Sequence, residues 1–231
     1  QARRHVVRLP GAEIAARGVR PGDVVAILLP ASIEYAVAYA AVALAGGVAT
    51  GLNTRLGPQE VAAIFARARP ALAVVPTGPL PPGVPATVPT LDADTLAALP
   101  HRREPGERHA GASSDPAVII WTSGTTGLPK GAWFDHANLR AAVSAAGALT
   151  APFDRRLVAT PFAHAGYMAK LWEQAAWATT VVISPTPWTA ADMLRLLMDE
   201  RITVAGAVPT QWARLLQEPG VDGADLSCLR V

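Results

Sequence analysis

The 231-residue sequence contains one cysteine, Cys228, and has few charged or aromatic residues. A single cysteine cannot form a disulfide within the chain or a thiolate metal site, which favours a reducing compartment, the cytoplasm. Only 16% of the residues are charged and 51% are hydrophobic, so intrinsic disorder is excluded. The formal net charge of +2 is too small to favour nucleic acid or a membrane surface as a partner.

No apolar core follows the arginines near the N-terminus of the sequence, so we expect no secretory signal. Residues 35–54 carry no charge, but this stretch is rich in alanine and contains Gly46 and Gly47. A buried helix followed by a buried strand therefore explains it better than a transmembrane span. The chain does not begin with methionine, and its last three residues, 229–231, resemble the start of a strand. Both ends lead us to expect a fragment of a longer protein.

Short β-branched runs alternate with alanine-rich helical patterns along the sequence. The apolar runs predict strands at 24–29, 48–52, 71–75, 117–121, 157–160, 180–183 and 202–205. Periodicity, prolines and the capping residues Ser32 and Thr189 predict helices at 32–45, 58–69, 91–99, 138–149, 170–177 and 189–200, and another that begins at Pro209. The charged, aperiodic segment 101–115 predicts a surface connection. This alternation predicts an α/β fold of parallel sheets flanked by helices.

The most informative segment is 122–131, TSGTTGLPKG, a loop that directly follows a predicted buried strand. Ligands of open parallel sheets bind beyond the carboxyl ends of the strands. Glycines allow tight turns that bring backbone N–H groups close to an anion. Ser123, Thr125 and Thr126 add hydroxyl donors, and Lys130 adds a mobile positive charge. This combination predicts a site for a polyphosphate.

The alternative phosphate-binding motif is the Walker A loop, in which a glycine and a lysine precede a serine or threonine. If the count starts at Gly124, Lys130 takes the lysine position, but Pro129 replaces the glycine and Gly131 replaces the hydroxyl residue. Proline has no N–H to donate, and no hydroxyl follows for magnesium, so a Walker A loop is excluded. A surface loop of chance composition is the other alternative.

Residues 121–131, WTSGTTGLPKG, resemble the phosphate-binding motif of the adenylate-forming (AMP-binding) superfamily, with Trp121 in place of the usual tyrosine. This superfamily contains acyl-CoA synthetases, adenylation domains of nonribosomal peptide synthetases, and luciferases. Further segments agree in the family's order, and 52–56, LNTRL, is more similar to the acyl-CoA synthetase branch. The other matching segments are 18–26, 161–166, 208–210 and 226–230.

The resemblance implies that 1–231 is the N-terminal portion of the family's large domain, with the C-terminal part of the enzyme absent. In this family ATP and a carboxylic acid form an acyl-adenylate, and coenzyme A then displaces AMP. Mg²⁺ shares the charge of the phosphates, but no residue of this chain is implied as its ligand. The resemblance implies Lys130 and His164 as catalytic residues. The implied ATP-binding residues are Thr122, Ser123, Gly124, Thr125, Thr126, Gly127 and Lys130.

Three departures from the family pattern leave the identity of the acid open, although a fatty or other apolar acid is favoured. Tyr167 and Trp177 stand at or near positions where glycine is usual, and 134–136, FDH, replaces a more usual Ser-His. His136 either caps the following helix, the interpretation we favour, or contacts substrate. Two alternative functions stay open: a domain that loads a carrier protein, and a non-catalytic fragment that binds phosphate or a partner. The chain alone is expected to be inactive.

Overall fold

The computed structural model describes residues 11–98, 111–122 and 129–231. The chain forms two compact units: unit 1, Gln1–Ala137 with Phe162–His164, and unit 2, Asn138–Pro161 with Ala165–Val231. Each unit contains a sheet with parallel strands. The predicted α/β class, with parallel sheets flanked by helices, is confirmed.

Unit 1 is built around a six-stranded sheet. Its elements are α1 (Gly11–Ala16), β1 (Val24–Ile27), α2 (Ile33–Leu44), β2 (Val48–Gly51), α3 (Pro58–Ala68), β3 (Leu72–Val75), β4 (Thr90–Asp92), α4 (Ala93–Ala98), β5 (Pro116–Thr122), β6 (Lys130–Asp135) and the first residues of α5 (His136–Ala145). The strand order is β4-β3-β1-β2-β5-β6. All neighbouring strands are parallel except β5 and β6, which form an antiparallel hairpin.

Apolar runs and helix caps place β1, α2, β2, α3, β3 and β5 close to where the sequence predicts them, whereas α1 was not predicted. The Ser32 hydroxyl accepts the N–H of Tyr35 at 3.2 Å, so the predicted N-cap of α2 is confirmed. Pro58 opens α3, and the Glu60 carboxylate accepts the N–H of Gly57 at 2.9 Å. One buried cluster packs α3 against the sheet. Its members are Ala26, Leu28, Leu52, Val61, Ile64, Phe65, Ala73, Val75 and Val84.

Unit 2 contains a smaller sheet of three parallel strands. Its elements are β7 (Arg155–Val158), α6 (Ala165–Met168), α7 (Leu171–Ala176), β8 (Thr180–Ile183), α8 (Ala190–Asp199), β9 (Val204–Gly206) and α9 (Pro209–Leu215), with two 3₁₀ turns, Ala146–Ala148 and Val221–Gly223. The strand order is β8-β7-β9. The Thr189 hydroxyl accepts the N–H of Asp192 at 3.0 Å, which confirms the predicted start of α8. The buried core is Leu157, Met193, Leu194, Leu197, Ile202 and Leu215.

Two strands differ from the predictions. The sequence analysis did not predict β6, because this edge strand is mostly exposed and so lacks an apolar run. Residues 91–99 were predicted as one helix, but Thr90–Asp92 pairs with β3 as strand β4. The Asp92 carboxylate accepts the N–H of Thr95 at 2.8 Å, so α4 begins only after the strand.

Helix α5 also begins earlier than predicted, at His136, and ends at Ala145 before a 3₁₀ turn. Within residues 35–54, helix α2 ends at Leu44 and strand β2 follows at Val48–Gly51, as the interpretation against a membrane span requires. None of the helices in the described ranges is long and apolar enough to cross a membrane. Of the predicted connection 101–115, residues 101–110 lie outside the described residues, and the domain organisation stays a prediction.

Candidate functional site

The candidate site lies at the carboxyl edge of the unit 1 sheet. Strands β2 and β5 are parallel neighbours, with Ala49 opposite Val118 and Thr50 opposite Ile119. Their carboxyl ends therefore lie at the same edge. Asn53 follows β2 closely, and the predicted phosphate loop follows β5. In parallel sheets this edge is where ligands bind.

The two ends of the predicted phosphate loop are held together by the β5–β6 hairpin. Thr122, the last residue of β5, pairs with Lys130, the first residue of β6. The Thr122 hydroxyl donates to the carbonyl of Lys130 at 3.4 Å, and Lys130 is exposed. Five of the predicted ATP-binding residues fall outside the described residues: Ser123, Gly124, Thr125, Thr126 and Gly127. The structure therefore places the first and last residues of the predicted set, Thr122 and Lys130, beside each other.

A second cation supports the end of this loop. The guanidinium of Arg67, on α3, donates from Nη1 to the carbonyl of Pro129 at 2.9 Å. Pro129 directly precedes Lys130, so Arg67 helps to fix the backbone from which the lysine extends. Arg67 was not predicted as a site residue, because it lies 62 residues from Pro129 in the sequence and belongs to no motif. Its guanidinium adds a second positive charge at this end of the predicted loop, and cationic side chains favour anions.

The aromatic residue of the motif fastens β5 to β2. The indole N–H of Trp121 donates to the hydroxyl of Thr50 at 2.7 Å, and that hydroxyl donates to the carbonyl of Ile119 at 3.1 Å. Thr50 is fully buried. A Cβ added at Gly131 would lie 3.2 Å from the Trp121 ring and 3.0 Å from Ile119 Cγ2. The last glycine of the motif therefore lets β6 pass close to this ring.

His164 reaches the same edge on a segment that belongs to unit 1. Phe162 is buried, and its ring meets that of Tyr35 edge to face, with a centroid distance of 5.6 Å and an interplanar angle of 87°. His164 follows Phe162 by two residues and is exposed. Its Nε2 atom lies 3.1 Å from Nδ2 of Asn53. The sequence analysis used Asn53 only as part of a branch-specific segment and did not predict this contact.

The electrostatics of the edge favour an anion. Lys130 forms no ion pair with any residue that the structure describes, so its charge is available to a ligand. The described ranges also contain no group of three or more His, Cys, Asp or Glu residues that could hold a metal ion. His136 is the first residue of α5, and its N–H donates to the carbonyl of Asp115 at 3.3 Å. This position is compatible with the structural role favoured for His136.

Comparison with known proteins finds one family and several enzymes that are similar to this chain. The family described as AMP-binding enzyme matches residues 2–231 of the chain. A long-chain-fatty-acid–CoA ligase, FadD13 of Mycobacterium tuberculosis, is 31% identical over 85% of the chain and 41% of its own length. A fatty acid–[acyl-carrier-protein] ligase, ScoC of Streptomyces coeruleorubidus, is 30% identical over 94% of the chain and 44% of its own length. Further curated relatives are CoA synthases and ligases.

The fold of the chain is also found in solved structures of such enzymes. The o-succinylbenzoate CoA synthetase of Bacillus subtilis, in complex with its acyl-adenylate intermediate, superimposes with a TM-score of 0.81 and 29% identity. The match covers 92% of this chain and 56% of that structure. By sequence, the chain spans less than half the length of the two curated relatives, FadD13 and ScoC.

Proposed function

Because the chain belongs to the AMP-binding enzyme family, we propose that it is the N-terminal part of an enzyme that activates a carboxylic acid with ATP and transfers the acyl group to coenzyme A. The observation that carries this proposal is the set of residues found at the carboxyl edge of the unit 1 sheet. There Thr122 and Lys130, the two ends of the predicted phosphate loop, are paired strand residues, and His164 lies beside Asn53. The relatives named as CoA ligases support the same reaction.

In the first step a carboxylate oxygen attacks the α-phosphorus of ATP, and the bond to the departing pyrophosphate breaks. Negative charge then builds on the leaving group, and catalysis consists largely of stabilising that charge. The proposed role of Lys130 is to stabilise this charge with its ammonium group, which forms no ion pair with a residue in the described ranges. Thr122 and the loop residues 123–127 contribute hydroxyl and N–H donors to the phosphates. In the second step the thiol of coenzyme A attacks the acyl carbon, and AMP leaves.

The proposed role of His164 is to contact the carboxylate of the acid. This histidine is exposed, and the buried ring of Phe162 and the amide of Asn53 hold it at the edge of the sheet. A fatty or other apolar acid is the proposed substrate class. Support comes from FadD13, a relative named as a long-chain-fatty-acid ligase.

Magnesium is proposed as a companion of ATP and not as a metal held by this part of the chain. The described residues provide no cluster of metal ligands, so no residue is assigned to the ion. Mg²⁺ commonly binds through substrate phosphates and retained waters, and the charge that it supplies would add to that of Lys130. The cytoplasm is the proposed location, because one cysteine fits a reducing compartment.

The second candidate acceptor is a carrier protein, because ScoC is named as a carrier-protein ligase. The segment Leu52–Leu56, which includes Asn53, resembles the acyl-CoA synthetase branch and favours coenzyme A. For the 231-residue chain alone, a binding function without catalysis is the proposal, since the chain spans less than half of the two relatives described. Positioning ATP and acid between opposed surfaces supplies much of the rate, and one surface alone does not confine them.

The test is ATP–pyrophosphate exchange, measured with and without a carboxylic acid, for the chain and for the longer enzyme that contains it. We expect acid-dependent exchange only in the longer enzyme, and weak, salt-sensitive ATP binding by the chain alone. Supplying either coenzyme A or a carrier protein then identifies the acceptor. Exchange by the chain alone would contradict the inactive-fragment proposal, and a longer enzyme without acid-dependent exchange would contradict the adenylation proposal.

A further inference from the structure

The side-chain amide of Asn53 makes two contacts that differ in what they require of it. Its Oδ1 accepts the backbone N–H of Arg55 at 3.0 Å, which closes an Asx turn just after β2. Its Nδ2 lies 3.1 Å from Nε2 of His164. The first contact is local, whereas the second joins positions 111 residues apart.

The Asx turn fixes which end of the amide faces the imidazole. A backbone N–H can only donate, so the atom of Asn53 that faces Arg55 has to be the oxygen. The NH₂ group then faces His164 and can only donate. A flipped amide would set two donors against each other at Arg55. Nε2 of His164 is therefore the acceptor in this pair and carries no proton.

We infer that Asn53 is a positioning residue that holds His164 as the neutral tautomer with its proton on Nδ1. A neutral imidazole has one donor and one acceptor nitrogen, and Asn53 occupies the acceptor. The exposed ring is left with one donor, Nδ1–H, for a ligand. On the proposed function, that ligand is the carboxylate of the acid. His164 then acts on the acid as a hydrogen-bond donor and not as a base.

The backbone of His164 is held independently of this hydrogen bond. Phe162 and Ala163, the two preceding residues, are both buried, and Phe162 packs edge to face on Tyr35. Removing the Asn53 amide should therefore free the proton of the imidazole to change nitrogen without displacing the segment. This separation between position and tautomer makes the inference testable.

Nuclear magnetic resonance of chain labelled with ¹⁵N at histidine reads the tautomer directly, because protonated and unprotonated ring nitrogens differ widely in chemical shift. The chain has five histidines, and a His164→Gln variant identifies the signals of His164. At a pH where histidine is neutral, we expect protonated Nδ1 and unprotonated Nε2. Asn53→Ala should release the ring to the Nε2–H form that predominates in free histidine, and Asn53→Asp should enforce it, because a carboxylate can only accept.

Arg55→Ala is the matched control. It removes a neighbouring charge but keeps the backbone N–H that orients Asn53, so the His164 signals should stay in the Nδ1–H pattern. A change of tautomer in this variant would attribute the effect to the charge of Arg55 and overturn the inference. A His164 ring that carries its proton on Nε2 in the unaltered chain overturns it as well, whatever the enzyme does.

Kinetics of the longer enzyme separate this inference from the proposed function. Asn53→Ala should raise KM for the acid about threefold to tenfold, the usual effect of one neutral hydrogen bond, and leave KM for ATP unchanged. A tautomer that changes while KM for the acid stays constant would support the control of His164 by Asn53. It would contradict the contact of His164 with the carboxylate.

Discussion

The chain has two lysines, one in each unit, and their surroundings are opposite. Lys130, in unit 1, is exposed at the carboxyl edge of the sheet and has no ion-pair partner among the residues described. Lys170, in unit 2, lies with Nζ 2.6 Å from a carboxylate oxygen of Glu173, whose side chain is 0% exposed. The same functional group is thus available in one unit and neutralised in the other.

Two clusters of charged groups in unit 2 follow the pattern of Lys170. Glu173 also accepts hydrogen bonds from Thr150 and from Arg156, whose Nη2 lies 3.3 Å away. A second cluster joins Asp154 to Arg230 at 2.7 Å and to the hydroxyl of Thr203 at 2.7 Å. Because buried carboxylates require such partners, these charges stabilise unit 2 and leave little for a ligand.

The comparison shows how a functional charge can be distinguished from a structural one. A buried carboxylate surrounded by donors is part of the fold, and its loss is expected to cost stability. An exposed ammonium without a partner contributes little to stability, and its loss is expected to cost function. Substitutions of these charged residues and of the groups that contact them test this division.

Substitution of Lys130 should have the largest effect, and it should be on catalysis alone. We expect Lys130→Ala to slow acyl-adenylate formation by the longer enzyme by about 10²- to 10³-fold, the usual cost of removing one positioned donor to developing charge. The unfolding midpoint in urea should not move. Lys170→Ala is the matched comparison and should lower that midpoint. An unchanged adenylation rate in Lys130→Ala would remove the basis for the phosphate-loop assignment.

Substitution of Glu173 should have the largest effect on stability. Glu173→Ala leaves Arg156 and Lys170 without their shared carboxylate, and we expect a loss of about 3 kcal/mol, the lower end of the range for a broken buried pair. The lower end applies because Lys170 is 35% exposed. Urea unfolding measures the loss. Asp199→Ala breaks only an exposed contact with Arg195 at 3.8 Å and should change little, so equal losses would contradict the division.

Acid should weaken unit 2 through its buried carboxylates. Burial raises the pKa of Glu173, but hydrogen bonds from Lys170 and Thr150 and the charges of Lys170 and Arg156 outweigh burial and lower the pKa below 4.5. Burial likewise raises the pKa of Asp154, and hydrogen bonds from Ala151, Thr203 and Arg230 bring it below 3.8. A carboxyl group with a lowered folded-state pKa stabilises the fold above its unfolded-state pKa. That stabilisation is lost as the pH falls through the folded value.

Thermal unfolding at neutral pH and at several values below pH 4.5 measures this contribution. We expect the stability difference between the unaltered chain and Glu173→Gln to be constant near neutral pH and to shrink as the pH falls below 4.5. Glutamine keeps the size of the side chain and cannot titrate. A difference that grows in acid would contradict the pairing.

The smallest effect is expected for Thr50, whose hydroxyl joins β2 to β5. Thr50→Val keeps the shape of the side chain but leaves the indole N–H of Trp121 without its acceptor, and we expect a loss of about 1 kcal/mol. Unfolding followed by tryptophan fluorescence measures it. Thr54→Val, at an exposed position in the same part of the chain, is the control. A loss no larger than that of the control would show that this hydrogen bond does not support the edge.

The sequence predicted the elements that depend on neighbouring residues. Strand β8 begins and ends as expected at 180–183, and the caps of α2 and α8 are the predicted Ser32 and Thr189. Strand β6 was missed because its pairing with β5, and not an apolar run of its own, makes it a strand. Propensity and periodicity contain no information on such partners.

The candidate site divides in the same way. The motif around Lys130 is contiguous, so the sequence alone predicts it as a phosphate loop. The contacts of Arg67 with Pro129 and of Asn53 with His164 span 62 and 111 residues. They depend on where the tertiary fold brings distant segments, and no local pattern specifies that. Position 53 could have been noticed only as part of a branch-specific segment.

Because Phe162–His164 belongs to unit 1, the order of synthesis determines which part of the candidate site forms first. The ribosome releases the strands of the unit 1 sheet and the whole phosphate loop, through Asp135, before the segment that carries His164. Domains form progressively from the N-terminus as the chain emerges, and contacts between distant positions close late. The part of the site proposed to bind phosphate is therefore complete first. The part proposed to contact the acid is added when Phe162 packs against Tyr35.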